Sequence, residues 1–132
     1  MKIGNVDLPL YYSNLAAKEL DEACGGINNI GKLLEGEYTH TLEGAAKLIC
    51  ILANGAVTKY NCELALGIQE GEKKEKYDVE TIETLMDASK IAEYIQEVLK
   101  TMGLASEFIV PDGVKMREPD IDLEEIEKEK HP

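Results

Sequence analysis

Residues 42–57, LEGAAKLICILANGAV, constrain the fold more than any other stretch of this chain. Lys47 is the only charge between Gly44 and Val57. Leu42, Ala45, Ala46, Ile49, Leu52, Ala53 and Ala56 recur at steps of three and four, the stripe of a helix that faces a core. Leu48, Cys50 and Ile51 carry apolar surface onto the flanks, so this helix is greasy nearly all round. Such a helix needs other elements wrapped about it, or a partner that takes part of its surface. It is too short for a bilayer, which needs about 20 apolar residues, and Glu43, Lys47 and Asn54 interrupt it. The reading is a buried central helix with no membrane role.

The flanking sequence supplies what would wrap it. Ile3, the Gly4-Asn5 pair and Val6-Asp7-Leu8 read as a two-residue-turn hairpin, with Pro9 ending the second strand. Ser13 or Asn14 can cap a first helix whose inner face is Leu15, Ala16, Leu20, Ala23 and Cys24, with Gly25-Gly26 as its stop. A short second helix carries Ile27, Ile30, Leu33 and Leu34 and ends at Gly36. Thr39 or Thr41 then opens the central helix. Gly55 is a candidate bend, but Val57, Tyr60, Leu64 and Ile68 keep the step, which carries the helix to about Leu66. GIQEGEKKEK, residues 67–76, reads as a mobile charged loop. Asp78 caps the next helix, with Val79, Ile82 and Met86 inward. Asp87 or Ser89 marks a fresh start, and Ile91, Ile95, Val98, Leu99 and Met102 continue the stripe to a stop at Gly103.

The predicted fold is therefore all-α. It is a compact bundle of about five helices around a central apolar helix, with a short N-terminal β-hairpin, over residues 1–110. Residues 111–132, where EPDIDLEEIEKEKHP lies, hold few core-forming side chains and read as an acidic tail, disordered in isolation. A chain of 132 residues fits one core. With six Tyr, one Phe and no Trp, that core is aliphatic.

The net charge of -12 repels phosphate backbones and anionic lipid, which argues against nucleic-acid and membrane partners. Cys24, Cys50 and Cys62 form no C-x-x-C pair and are odd in number, which suits thiols in a reducing cytosol. No signal-peptide pattern opens the chain. His40, read as lying in a loop, and His131, in the tail, stand near no Cys or paired acid at metal-ligand spacing. No G-x-S-x-G, Walker or G-x-G-x-x-G pattern occurs. Glu19, Asp21 and Glu22 lie opposite the apolar stripe of the first helix and read as a solvated face, not a catalytic pair. The expectation is a non-enzyme without metal or cofactor.

The opening MKIGNVDLPLYYSNLAAKELDEACGGINNIGKLL, followed by AAKLICILANGA, resembles the small tail assembly chaperones of long, non-contractile-tailed bacteriophages of Gram-positive hosts. The match runs over residues 1–66. The resemblance implies an all-helical protein that binds the tape-measure protein, keeps its apolar helices from aggregating and presents it to tail-tube protein. It further implies the host cytoplasm as location, absence from the mature virion, and the short product of a frameshifting pair, with self-association left open. The mechanism expected is helix-in-groove binding, with Leu15, Leu20, Ile49 and Leu52 as candidate liners and Tyr11 and Tyr12 as further partner contacts. Competing readings are an acidic inhibitor or nucleic-acid mimic, and a minor structural subunit of a tail or neck.

Overall fold

The computed structural model describes residues 1–25 and 27–104. The expected acidic tail and the apolar trio Phe108, Ile109 and Val110 lie outside the described residues.

Strands β1 (Lys2–Ile3) and β2 (Val6–Asp7) pair antiparallel, Lys2 opposite Asp7 and Ile3 opposite Val6, around the two-residue Gly4-Asn5 turn. So small a ribbon is not stable alone. It is held because Ile3 and Leu8 are fully buried in the helical core.

Helix α1 (Asn14–Cys24) starts at Ser13, whose Oγ accepts the Ala16 amide at 3.0 Å. It stops at Gly25, left-handed at φ 74°. Its inner face is narrower than the sequence suggests. Ala16 and Leu20 are buried and Cys24 half-buried, while Leu15 and Ala23 are exposed. In only three turns the inner stripe is centred on Ala16 and Leu20; Leu15 lies well round the helix from it, and Ala23, near its line, falls in the last turn.

Residues Ile27–Leu33 form a 3₁₀ helix, not an α-helix. Helix α2 (Tyr38–Ala65) follows and runs 28 residues without a break. It begins earlier than Thr39 or Thr41. Thr41 lies inside the first turns, buried, donating its hydroxyl to Leu34 O at 3.1 Å and Glu37 O at 3.3 Å. His40 is thereby in the first turn of α2 and not in a loop, its Nε2 3.0 Å from Lys32 O. Helix α3 (Val79–Leu85) is capped by Asp78, which accepts the Thr81 amide at 2.9 Å. After a short 3₁₀ turn (Ala88–Lys90), started by Asp87 through the Ser89 amide, helix α4 (Ile91–Thr101) runs to a stop before Gly103.

The architecture is thus all-helical with a small antiparallel hairpin, four α-helices among the described residues. Helix α2 packs against α1, the first 3₁₀ segment, α3 and α4. Leu48, Ile49 and Leu52 from α2 meet Leu20, Ile30, Ile82, Ile95 and Leu99 in one apolar cluster. Each such side chain contributes about 1.5–3 kcal/mol when removed from water.

Two glycines let neighbours reach the α2 backbone. A Cβ on Gly44 would overlap Leu33 O, and one on Gly55 would overlap Tyr11 O. Gly55, the candidate bend, is a docking point in a continuous helix.

Candidate functional site: a tyrosine-lined groove

Residues 8–13 follow the hairpin without regular structure and cross the outer half of α2. The Tyr11 amide donates to Leu52 O at 3.0 Å, and the Tyr11 carbonyl sits on Gly55. Both backbone groups of Tyr11 therefore face the helix.

On the other side of α2, residues 67–77 return as a strap. The sequence reads residues 67–76 as a mobile loop, but the strap is tied down by side chains of α2. Asn54 accepts the Tyr77 amide at 2.7 Å and donates to the Tyr77 carbonyl at 2.9 Å. Asn61 makes the same two-way clasp with Lys74, 2.9 Å in each direction. Tyr60 donates its hydroxyl to Glu70 O at 3.3 Å. An amide side chain carries a donor and an acceptor, so it can pair with both backbone groups of one residue as a strand would. Asn54 and Asn61 are two turns apart on one helix face, which sets the strap parallel to the helix.

Between segment and strap lies a groove of about 400 Å³. Ala53, Ala56, Val57 and Tyr60 occupy i, i+3, i+4 and i+7 of α2 and form its floor; Pro9, Leu10 and Tyr11 line one side, and Gln69, Lys74 and Tyr77 the other. The small floor residues make the hollow.

Charge is confined to the rim. Lys59 and Glu63 pair at 2.6 Å, and Lys59 Nζ stands 5.3 Å from the centre of the Tyr11 ring. The bond from Lys59 holds the Glu63 carboxyl below its ordinary range, and the same bond raises the Lys59 ammonium above its own. Lys74 Nζ lies 4.5 Å from the Tyr60 ring centre and has no carboxylate partner among the described residues. Beneath the strap, Cys50 Sγ is 3.5 Å from both Tyr77 O and Asn54 Nδ2. Burial first, and Asp78 second, push its thiol up, so it stays protonated.

The six partner contacts expected from sequence separate sharply. Leu20, Ile49 and Leu52 are sealed in the core at 0% exposure. Leu20 and the α2 stripe share one core. Tyr12 is half-buried against that core. Leu15 and Tyr11 are exposed, at 45% and 42%, and Tyr11 lines the groove. Sequence reasoning passed over Tyr60, Tyr77, Asn54 and Asn61. The signal available was Asn54 and Asn61 at i and i+7 on an otherwise apolar helix face.

Among the described residues, no three His, Cys, Asp or Glu side chains gather closely enough to hold a metal, and no helix is long and apolar enough to cross a membrane. No protein-family model, curated protein or solved structure matches the chain.

Proposed function

We propose that this chain is a tail assembly chaperone that binds tape-measure protein and hands it to tail-tube protein. The likeness of residues 1–66 to that family motivates the reading. The observation that carries it is the groove at Tyr11, lined by Pro9, Leu10, Tyr11, Ala56 and Tyr60 on a strongly acidic chain. Leu15, Leu66 and Ile68 add exposed apolar side chains, the last two at 74% and 70%. Exposed apolar surface of this kind marks sites of protein association. The acidic shell keeps the chaperone dispersed while that surface stays available.

Binding by these residues draws on apolar contact, so complexes with tape-measure fragments persist at high salt, whereas an acidic inhibitor would release a basic partner as ions screen it. The test is co-purification of this chain with overlapping fragments of a phage tape-measure protein, at low and at high salt. Tyr11→Glu is expected to abolish capture and leave the helical circular dichroism unchanged. Leu20→Glu is expected to destroy the fold itself. Failure of every fragment to co-purify with the wild-type chain would overturn the chaperone reading.

A further inference from the structure

We propose that Asn54-Gly55 is a modification site: when the strap at residues 67–77 lifts, Asn54 deamidates through a cyclic imide, and the product no longer holds the strap. The proposal does not depend on what the groove binds.

Asn54-Gly55 is the only Asn-Gly pair in the chain. In such a pair the glycine nitrogen can attack the asparagine side-chain amide, because glycine has no Cβ to crowd the approach and accepts unusual dihedrals. The bond from Gly55 N to Asn54 Cγ forms, and the Gly55 amide proton passes to water. The bond from Cγ to Nδ2 breaks, and Nδ2 takes up a proton and leaves as ammonia. Water then opens the ring. Attack at Cγ gives aspartate in an ordinary backbone. Attack at the Asn54 backbone carbonyl carbon gives isoaspartate, in which the main chain runs through the side chain. Nothing is oxidised or reduced, and water is the only co-reactant.

The fold keeps the reacting groups apart. Both residues lie inside α2, where the Gly55 amide belongs to the helical ladder, and ring closure requires Asn54 to leave helical dihedrals. Asn54 Oδ1 accepts the Tyr77 amide at 2.7 Å. Its Nδ2 donates to Tyr77 O at 2.9 Å and stands 3.5 Å from Cys50 Sγ. Gly55 is buried beneath Tyr11 O and Ala16.

The strap is the part of this cover that opens most readily. Its outer clasp, between Asn61 and Lys74, is exposed to water, and local opening starts where hydrogen bonds are exposed and apolar contacts few. Once the strap is off, the outer half of α2 has lost one of its covering segments. Gly55, among the weakest helix formers, is then where the ladder gives way.

The reaction is one-way for the clasp. Aspartate can still accept the Tyr77 amide, but it has no N–H for the Tyr77 carbonyl, so two oxygens face each other where a bond stood. Isoaspartate adds a backbone atom, and the ladder of α2 cannot keep register across it. Either product frees Tyr77, and with it one side of the groove.

The experiment incubates the full chain at neutral pH, folded in buffer and unfolded in urea. Mass spectrometry then reads the tryptic fragment 48–59, in which Asn54 is the only asparagine. The fragment is expected to exchange NH₂ for OH in urea, and to do so at least about tenfold more slowly in the folded chain, the rate being set by local opening. Asn61→Ala loosens the strap and is expected to speed the folded reaction about threefold, leaving the urea rate unchanged. Ile95→Val thins the sealed core far from the strap and is expected to leave both rates unchanged. Asn54→Asp makes one product with an ordinary backbone. It is expected to keep the helical circular dichroism and to speed amide exchange at Tyr77 about tenfold.

Equal rates in buffer and urea would show that the fold does not guard the site. No conversion in folded Asn61→Ala while the urea sample converts fully, or acceleration by Ile95→Val as large as by Asn61→Ala, would show that the strap is not the gate. Wild-type exchange at Tyr77 in Asn54→Asp would show that the product still holds the strap. Each of these results overturns the proposal.

Discussion

The two halves of α2 continue one unbroken helix and meet opposite fates. From Thr41 to Ala53 the helix is covered by α1, the 3₁₀ segment, α3 and α4, and most of its side chains are sealed. From Asn54 to Ala65 it is covered by the segment at residues 8–13, a polar strap and, at Gly55, Ala16 of α1, and Ala56, Val57 and Tyr60 line a groove. The inner half is held by apolar burial, which has no direction and tolerates little loss of volume. The outer half is held by amide clasps and a glycine contact, which fix two chain segments at a distance and leave space between them. The outer half is also the more polar, with Asn54, Thr58, Lys59, Asn61 and Glu63, so both its own residues and what lies above them separate it from the inner half.

The contrast can be broken from either side. Leu52→Ala removes volume from the sealed half and is expected to cost about 2–5 kcal/mol in urea unfolding. Val57→Ala, at the edge of the groove, is expected to cost clearly less. Next in size is Gly44→Ala. Alanine gains about 1 kcal/mol of helix propensity over glycine, but the new Cβ would overlap Leu33 O, a backbone atom that cannot rotate away. Overpacking costs of about 1–3 kcal/mol then dominate, and the melting temperature falls. The same change at Gly55 lifts Tyr11 off the helix and is expected to reduce capture of tape-measure fragments more than stability.

Smaller effects separate the two clasps of the strap. Asn54→Ala leaves the half-buried Tyr77 amide unpaired and its carbonyl with the Cys50 thiol alone, and is expected to cost about 1–3 kcal/mol. Asn61→Ala frees exposed groups that water can satisfy and is expected to cost under about 1 kcal/mol, while hydrogen exchange around Lys74 speeds up. If both behave alike, the strap is not graded from a fixed inner end to a loose outer one.

The smallest effect is on pH. Asp78 is held below its ordinary range chiefly by its bond to Thr81, and Asp87 by its bonds to Ser89. A carboxyl whose folded pKa lies below its unfolded value adds stability above the unfolded value, near 3.9, and loses it as pH falls through the folded one. Stability is therefore expected to decline from about pH 5 downward. Asp78→Asn and Asp87→Asn are each expected to flatten that decline in urea midpoints measured against pH.

Much of the frame was legible because its signals are local. The Gly4-Asn5 turn, the caps at Ser13 and Asp78, the stop at Gly25 and the new start at Asp87 each depend on residues within a few positions. The start of α2 was less so, since Thr41 spends its hydroxyl on Leu34 and Glu37 inside the helix instead of capping it. The groove was scarcely legible. Of the residues named from sequence as partner contacts, Tyr11 alone lines it, while Leu20, Ile49 and Leu52 lie in the core. Periodicity tells which side chains share a face, not whether another element covers that face.

By itself, then, the sequence determined an apolar central helix, the caps and stops of its neighbours and the acidic shell, because propensity, period and charge act over one or two turns. Only the tertiary structure decided that Gly55 is a contact and not a bend, that Asn54 and Asn61 clasp a strap ten or more residues away, and that Ala53, Ala56 and Val57 floor an open groove. Those outcomes depend on which distant segment arrives at a given face, and no local pattern encodes that arrival.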